Sequence, residues 1–148
     1  MPTYAYARVS TEDQDLTIQL TALDQAGIEP VNIFAEKISG AAKQLPVRDQ
    51  VLGLVRPGDT LVVHKLDRLG RTMTEVVGIV EGLVRRQVHF QCLAQGVNIS
   101  APVDAMSKMQ LQLLAMFAEF ERSAILDRTA AGKARRRAEG LHPGGPAG

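Results

Sequence analysis

Tryptophan is absent, aromatic residues make up 4% of the 148-residue chain, and cysteine occurs once. The core must therefore be built from Leu, Val, Ile, Ala and Met, and no disulfide can form within the chain. Cys92 sits in an apolar run and reads as a small core residue. The three histidines, His64, His89 and His142, are scattered, so no set of metal-ligand spacings exists and no metal is expected. Neither standard glycine-rich phosphate loop occurs, which argues against a nucleotide, and no cofactor is expected. A signal peptide and any apolar stretch long enough for a bilayer are also missing. No membrane partner is expected, and a cytoplasmic protein is the default. The formal net charge is only +1, so overall electrostatics give no reason to expect a nucleic acid.

What is present is the material of an ordinary globular domain: 45% hydrophobic and 22% charged residues. The length fits one compact domain with an appendage, not two full domains. Residues 3–9 read as a strand, with Tyr and Val at alternating places. A helix is expected over 12–26, opened by Ser10 and Thr11 and closed by Gly27, with Leu16, Leu20 and Leu23 as its apolar stripe. A short strand at 31–35, a loop from 39 to 46 and a helix over 47–55 follow. Arg56-Pro57-Gly58-Asp59 is a turn. Thr60 to His64 reads as a buried strand, 72–86 as a helix and 89–94 as a fourth strand. This alternation predicts an α/β domain with a mainly parallel central sheet flanked by helices.

From residue 104 to 137 only Gly132 interrupts the helical pattern. Such a helix would be roughly 50 Å long, so part of it must project from a domain of this size. Met106, Met109, Leu113, Met116, Phe117 and Phe120 lie at helical spacing, and Leu111, Leu114 and Ala118 broaden the apolar surface on the opposite side. A helix apolar nearly all round needs covering on two faces. One face can lie on the sheet domain and the other points to self-association; a wholly intrachain core helix is the alternative. Six Lys/Arg (Arg122, Arg128, Lys133, Arg135, Arg136, Arg137) against two acids follow in 122–139. That asymmetry suits a polyanion; it also fits a solvated helix end whose cations offset the dipole. The division expected is 1–103 for the α/β part, 104–140 for the long helix of the same domain, and 141–148 as a disordered tail or linker stub.

Two segments carry polar residues at strand ends, where open parallel sheets gather ligands. The first is Arg8-Val9-Ser10-Thr11, in which the pleat puts Arg8 and Ser10 on one side. Ser10 also reads simply as a helix cap. The second is Lys65-Leu66-Asp67-Arg68-Leu69-Gly70-Arg71, read as a turn after the third strand and equally consistent with a surface ion-pair cluster. Taken together, a hydroxyl beside several arginines is what transesterification at a phosphodiester needs. The hydroxyl supplies the nucleophile, and the planar guanidinium forks neutralise the developing charge.

Tyr6-Ala7-Arg8-Val9-Ser10-Thr11 with Gln14 and Gln19, Ser39-Gly40, Gly58-Asp59, Leu66-Asp67-Arg68-Leu69-Gly70-Arg71, and Ala118-Glu119-Phe120-Glu121-Arg122 with Ile125 and Asp127-Arg128-Thr129 together resemble the serine recombinase family of resolvases and invertases, over nearly all of residues 3–140. The resemblance implies site-specific DNA cleavage and rejoining, with Ser10 attacking the scissile phosphate to leave a 5′-phosphoserine link and a free 3′-hydroxyl. Arg8, Arg68 and Arg71 would hold the phosphate, Asp67 would handle a proton or orient the arginines, and Gln19 would line the pocket. Neither ATP nor metal would be required. Double-stranded DNA would be the partner, with homodimers pairing into tetramers. The methionine-rich helix face would serve the dimer, and Arg122, Arg128, Lys133 and Arg135 to Arg137 would contact phosphates.

Two departures stand out. Many relatives carry a further arginine in the loop after Ser39-Gly40, where an ungapped match puts Leu45. Arg48 could reach the same phosphate, with Lys43 as a weaker substitute. Relatives also continue into a small helix-turn-helix domain, which is expected to be missing here, by natural truncation or by cutting. The chief rival reading is therefore a dimerising recombinase fragment or regulator without cleavage activity. A flavodoxin-like ligand module shares the element order but gives no reason for Ser10 and three arginines at the strand ends.

Overall fold

The computed structural model describes residues 2–9, 16–38 and 44–138, with backbone only for 129–131 and 133–138. Ser10, the expected helix start at residue 12, Gln14, Ser39, Gly40, Lys43 and the tail at 141–148 lie outside the described residues.

Five strands form one sheet in the order β2-β1-β3-β4-β5, made of β1 (Thr3–Val9), β2 (Ile33–Lys37), β3 (Thr60–Val63), β4 (His89–Cys92) and β5 (Val97–Ile99). The first four are parallel and β5 runs antiparallel to β4. The helices are α1 (Leu16–Gln25), α2 (Pro46–Leu54), α3 (Leu66–Leu69), α4 (Met73–Arg85) and α5 (Ala105–Ala138). Pleating divides the sheet residues between two cores. Ala5, Ala7 and Val62 face α1 and pack with Leu23 and Ile28. Tyr6, Leu61, Val63 and Phe90 face the other way, onto Val51, Val76, Val80, Leu83 and Leu114. The register sets Tyr6 beside Phe34 and Val63, and Arg8 beside Glu36. A slip of one residue would send Tyr6 and Arg8 to the α1 face, so burial of Tyr6 fixes where Arg8 points.

Three expectations are corrected. The second strand begins at Ile33, not 31, because Pro30–Asn32 form a 3₁₀ turn; Pro30 has no N–H for a ladder, and Val31 is 80% exposed. The strand therefore extends to Lys37 and takes in Glu36. The segment 65–71 is no plain turn, since it contains α3. The antiparallel β5 was not expected; three residues are too few to show alternation.

The long helix carries two surfaces, as expected. Leu114 and Ala118 are buried against the core, with Leu111 beside them. Gln110 accepts the Asn98 N–H at 2.8 Å, and Glu121 accepts the Met73 N–H at 2.9 Å, pinning α5 to β5 and to the start of α4. On the other side Met106, Met109, Leu113, Met116, Phe117 and Phe120 are 46% to 76% exposed. Among the described residues no helix is long and apolar enough to cross a membrane.

Candidate active site

The sheet has its switch point between β1 and β3: the chain leaves β1 toward β2 on one side and leaves β3 toward β4 on the other. The crevice at the carboxyl ends of such a pair is where doubly wound sheets bind ligands. Arg8 is the penultimate residue of β1, and α3 starts three residues after β3 ends.

A four-residue helix cannot satisfy its own last carbonyls, which need outside donors. Two arginines supply them. Arg8 donates through Nη2 to the Asp67 carbonyl at 2.6 Å and through Nε to the Arg68 carbonyl at 3.2 Å. Arg48, from α2, donates through Nη1 to the Leu69 carbonyl at 3.1 Å. Guanidinium groups from two distant segments thus converge on three successive carbonyls of α3, which itself carries Arg68. The Asp67 carboxylate lies 3.8 Å from Arg68 Nε and faces solvent. Arg71 is exposed at the junction of α3 and α4.

Gln19 is fully buried and grips the backbone of Arg8 from α1: its Nε2 donates to the Arg8 carbonyl at 2.8 Å and its Oε1 accepts the Arg8 N–H at 3.2 Å. It satisfies that peptide as a neighbouring strand would, fixing the Arg8 backbone near the end of β1.

A buried acid organises the other wall. Glu36 on β2 accepts the Tyr6 hydroxyl, the Val47 N–H at 3.2 Å and the Arg48 N–H at 3.1 Å. Leu45 stands at the N-cap of α2 with no cap to offer, and Pro46 follows at the first helical position. Glu36 therefore caps the helix from the sheet, its charge facing the positive end of the dipole. Burial, then the Glu36 carboxylate, pushes the Tyr6 phenol above its ordinary value, while the nearby charges of Arg8 and Arg48 pull the other way. Both arginines reach carbonyls of α3, which places them at the same end of the sheet. Leu45 is 2% exposed and belongs to the core.

Of the remaining expected residues, Arg122 donates to Thr74 Oγ1 at 3.0 Å at the start of α4. Arg128 is exposed farther along α5, and Lys133 and Arg135 to Arg137 lie on that helix with side chains outside the described residues. Cys92 is buried as expected, its thiol donating to Gln95 Oε1 at 2.8 Å and pushed up in pKa by burial. Among the described residues no group of three His, Cys, Asp or Glu could hold a metal ion. The sequence signals no role for Glu36 or Glu75, and it shows Glu121 only within the long-helix signature. Glu36 fell outside the strand as it was framed. Glu75 stands three residues after Thr72, a capping-box spacing, but nothing in sequence ties it to Arg48.

The model of the resolvase N-terminal domain matches residues 3–142. The chain is 41% identical over 141 residues to the transposon Tn552 DNA-invertase BinR of Staphylococcus aureus, covering 95% of this chain and 72% of that one. It is 40% identical over 146 residues to the DNA-invertase hin of Salmonella typhimurium, covering 99% and 74%. Among solved structures, the N-terminal catalytic domain of TP901-1 integrase superposes with a TM-score of 0.61 at 22% identity, covering 84% of this chain and 98% of that one. A resolvase family site-specific recombinase from Streptococcus pneumoniae gives 0.61 at 20% identity, with 93% and 99% covered. Those two establish likeness of fold. The family model and the sequence matches agree: the chain belongs to the resolvase family of serine recombinases, matching its N-terminal domain.

Proposed function

We propose that this chain is the catalytic domain of a site-specific DNA recombinase that cuts and rejoins double-stranded DNA through Ser10. The observation that carries the reading is the convergence of Arg8 and Arg48 on the carbonyl end of α3, beside Arg68, at the β1/β3 switch point. Ser10 follows Val9, the last residue of β1, by one position in the chain.

The Ser10 hydroxyl attacks the phosphorus of the scissile phosphodiester. The Oγ–P bond forms, the P–O3′ bond breaks, and a 5′-phosphoserine and a free 3′-hydroxyl result. Arg8, Arg68 and Arg71 neutralise the charge that builds on the non-bridging oxygens, and Arg48 supplies the guanidinium that Leu45 does not. Asp67 takes the Ser10 proton and returns one to the leaving O3′, or holds the arginines in place. The same groups run the step backwards, so the covalent link conserves the bond energy for rejoining.

The exposed apolar face of α5 serves assembly. Met106, Met109, Leu113, Met116, Phe117 and Phe120 meet the same face of a second copy, and dimers pair into tetramers. Beyond it Arg122, Arg128, Lys133 and Arg135 to Arg137 contact DNA phosphates, giving affinity rather than sequence. The test joins a foreign sequence-specific DNA-binding domain to the end of the intact chain and offers a nicked substrate. A covalent protein–DNA adduct that disappears with Ser10→Ala is expected. A folded fusion that forms no adduct would instead support the non-cleaving dimerising fragment.

A further inference from the structure

Arg48 is held from both ends. Its backbone N–H goes to Glu36 at 3.1 Å, and its guanidinium goes through Nη1 to the Leu69 carbonyl and to Glu75 Oε1 at 2.6 Å. Its contacts to Asp49 Oδ1 are long, at 3.4 Å from Nε and from Nη2, and Asp49 is mostly solvated. Glu75 is thus the short, directed carboxylate contact.

Its orientation departs from local habit. Thr72 caps α4, its Oγ1 accepting the Glu75 N–H at 3.1 Å. In a Thr-x-x-Glu box the glutamate folds back onto the cap's own N–H. Here the Glu75 carboxylate turns across to Arg48 instead. Space is reserved for it: a Cβ on Gly70 would stand 2.9 Å from Glu75 Oε1 and 3.1 Å from its Cγ. The Arg48 side chain is only 15% exposed, so its arc of motion is already narrow, and a single carboxylate can select its rotamer.

We propose that Glu75 is a positioning residue for Arg48, holding its guanidinium against the carbonyl end of α3 so that it meets the scissile phosphate beside Arg8. The inference rests on the Ser10 cleavage reading and adds to it the group that sets the replacement arginine. Glu75 itself touches no substrate.

The experiment measures single-turnover adduct formation by the intact chain carrying the foreign DNA-binding domain, with DNA affinity measured separately. Arg48→Ala should slow cleavage by about 100-fold, as loss of one transition-state donor does. Glu75→Ala should slow it by about tenfold and Glu75→Gln by less, with DNA affinity changed by no more than about twofold. Adding Glu75→Ala to Arg48→Ala should bring no further loss, since the acid acts only through the arginine. The isosteric Glu75→Gln, tested well below its melting temperature, keeps the result independent of any folding defect in the alanine variant. Cleavage by Glu75→Ala at or above the wild-type rate, or a second tenfold loss in the Arg48→Ala background, overturns the positioning role. If wild type forms an adduct and Ser10→Ala does not, such a result removes Glu75 alone. If wild type forms none, the cleavage reading falls and this inference falls with it.

Discussion

Glu36→Gln is the perturbation that separates the buried hub from a surface acid. Glu36 is 8% exposed, and its carboxylate accepts three donors: the Tyr6 hydroxyl and the N–H groups of Val47 and Arg48. A glutamine has one acceptor oxygen and one NH₂. Aimed at Arg48 N–H and Tyr6, that oxygen keeps two bonds, while the NH₂ meets the Val47 N–H donor to donor. Hydrogen bonds to a charged group are worth about 1.5–3 kcal/mol each, and an unsatisfied buried donor costs about 1–3 kcal/mol. Loss of one bond, weakening of two, and loss of a favourable charge at the α2 dipole sum to roughly 2–4 kcal/mol. At about 2–4 °C per kcal/mol for a chain near this length, the melting temperature should fall by about 5–15 °C. Denaturant unfolding with an unchanged slope would report the loss as stability. Cleavage should fall too, because Arg48 hangs from the same helix start. A variant within about 0.5 kcal/mol of wild type would show that α2 is capped by water and that the Glu36 contacts carry little energy.

Other consequences can be checked independently. Because the Tyr6 phenol is raised above its ordinary value of 10.0, the unfolded state loses this proton first as pH rises. The unfolded state then binds fewer protons, so stability should be full below pH 10 and decline above it; Tyr6→Phe should flatten that decline, and an identical alkaline slope would exclude Tyr6 as its source. Gly70→Ala should lower stability by about 1–2 kcal/mol through Val76, whose Cγ2 would lie 3.2 Å from the new Cβ, and should slow cleavage by displacing Glu75. Wild-type cleavage by that variant would mean the crevice tolerates the shift. Phe117→Asp should raise the dimer dissociation constant by at least about 30-fold in sedimentation or light scattering. A wild-type chain that stays monomeric at high concentration would remove the dimer role of the exposed α5 face.

Some of this was legible from one dimension because the physics is local. The first strand occupies the expected bounds, 3–9, although Ala5, Tyr6 and Ala7 are buried in succession, because a parallel strand inside the sheet is covered on both faces. The long helix was legible for a local reason: residues at three- and four-residue spacing must share a face, which separates Leu114 from Met116, and the structure turns Leu114 inward and Met116 outward. The pairing of Arg8 with the 65–71 segment followed from strand ends and from the family likeness.

Other features depend on contacts between residues far apart in the chain. Glu36 falls outside the strand expected at 31–35; its burial is set by Tyr6, 30 residues away. Arg48 was a candidate, yet its direction comes from α3 and Glu75, neither of which a loop alignment could supply. β5 pairs only because β4 offers it an edge. The sequence by itself determined the periodicities, and through them β1, β3, β4, the longer helices and the two faces of α5. The tertiary structure decided which acids are buried and which arginines meet, because a charge is held in place by partners brought to it through the sheet register and not by its neighbours in the chain.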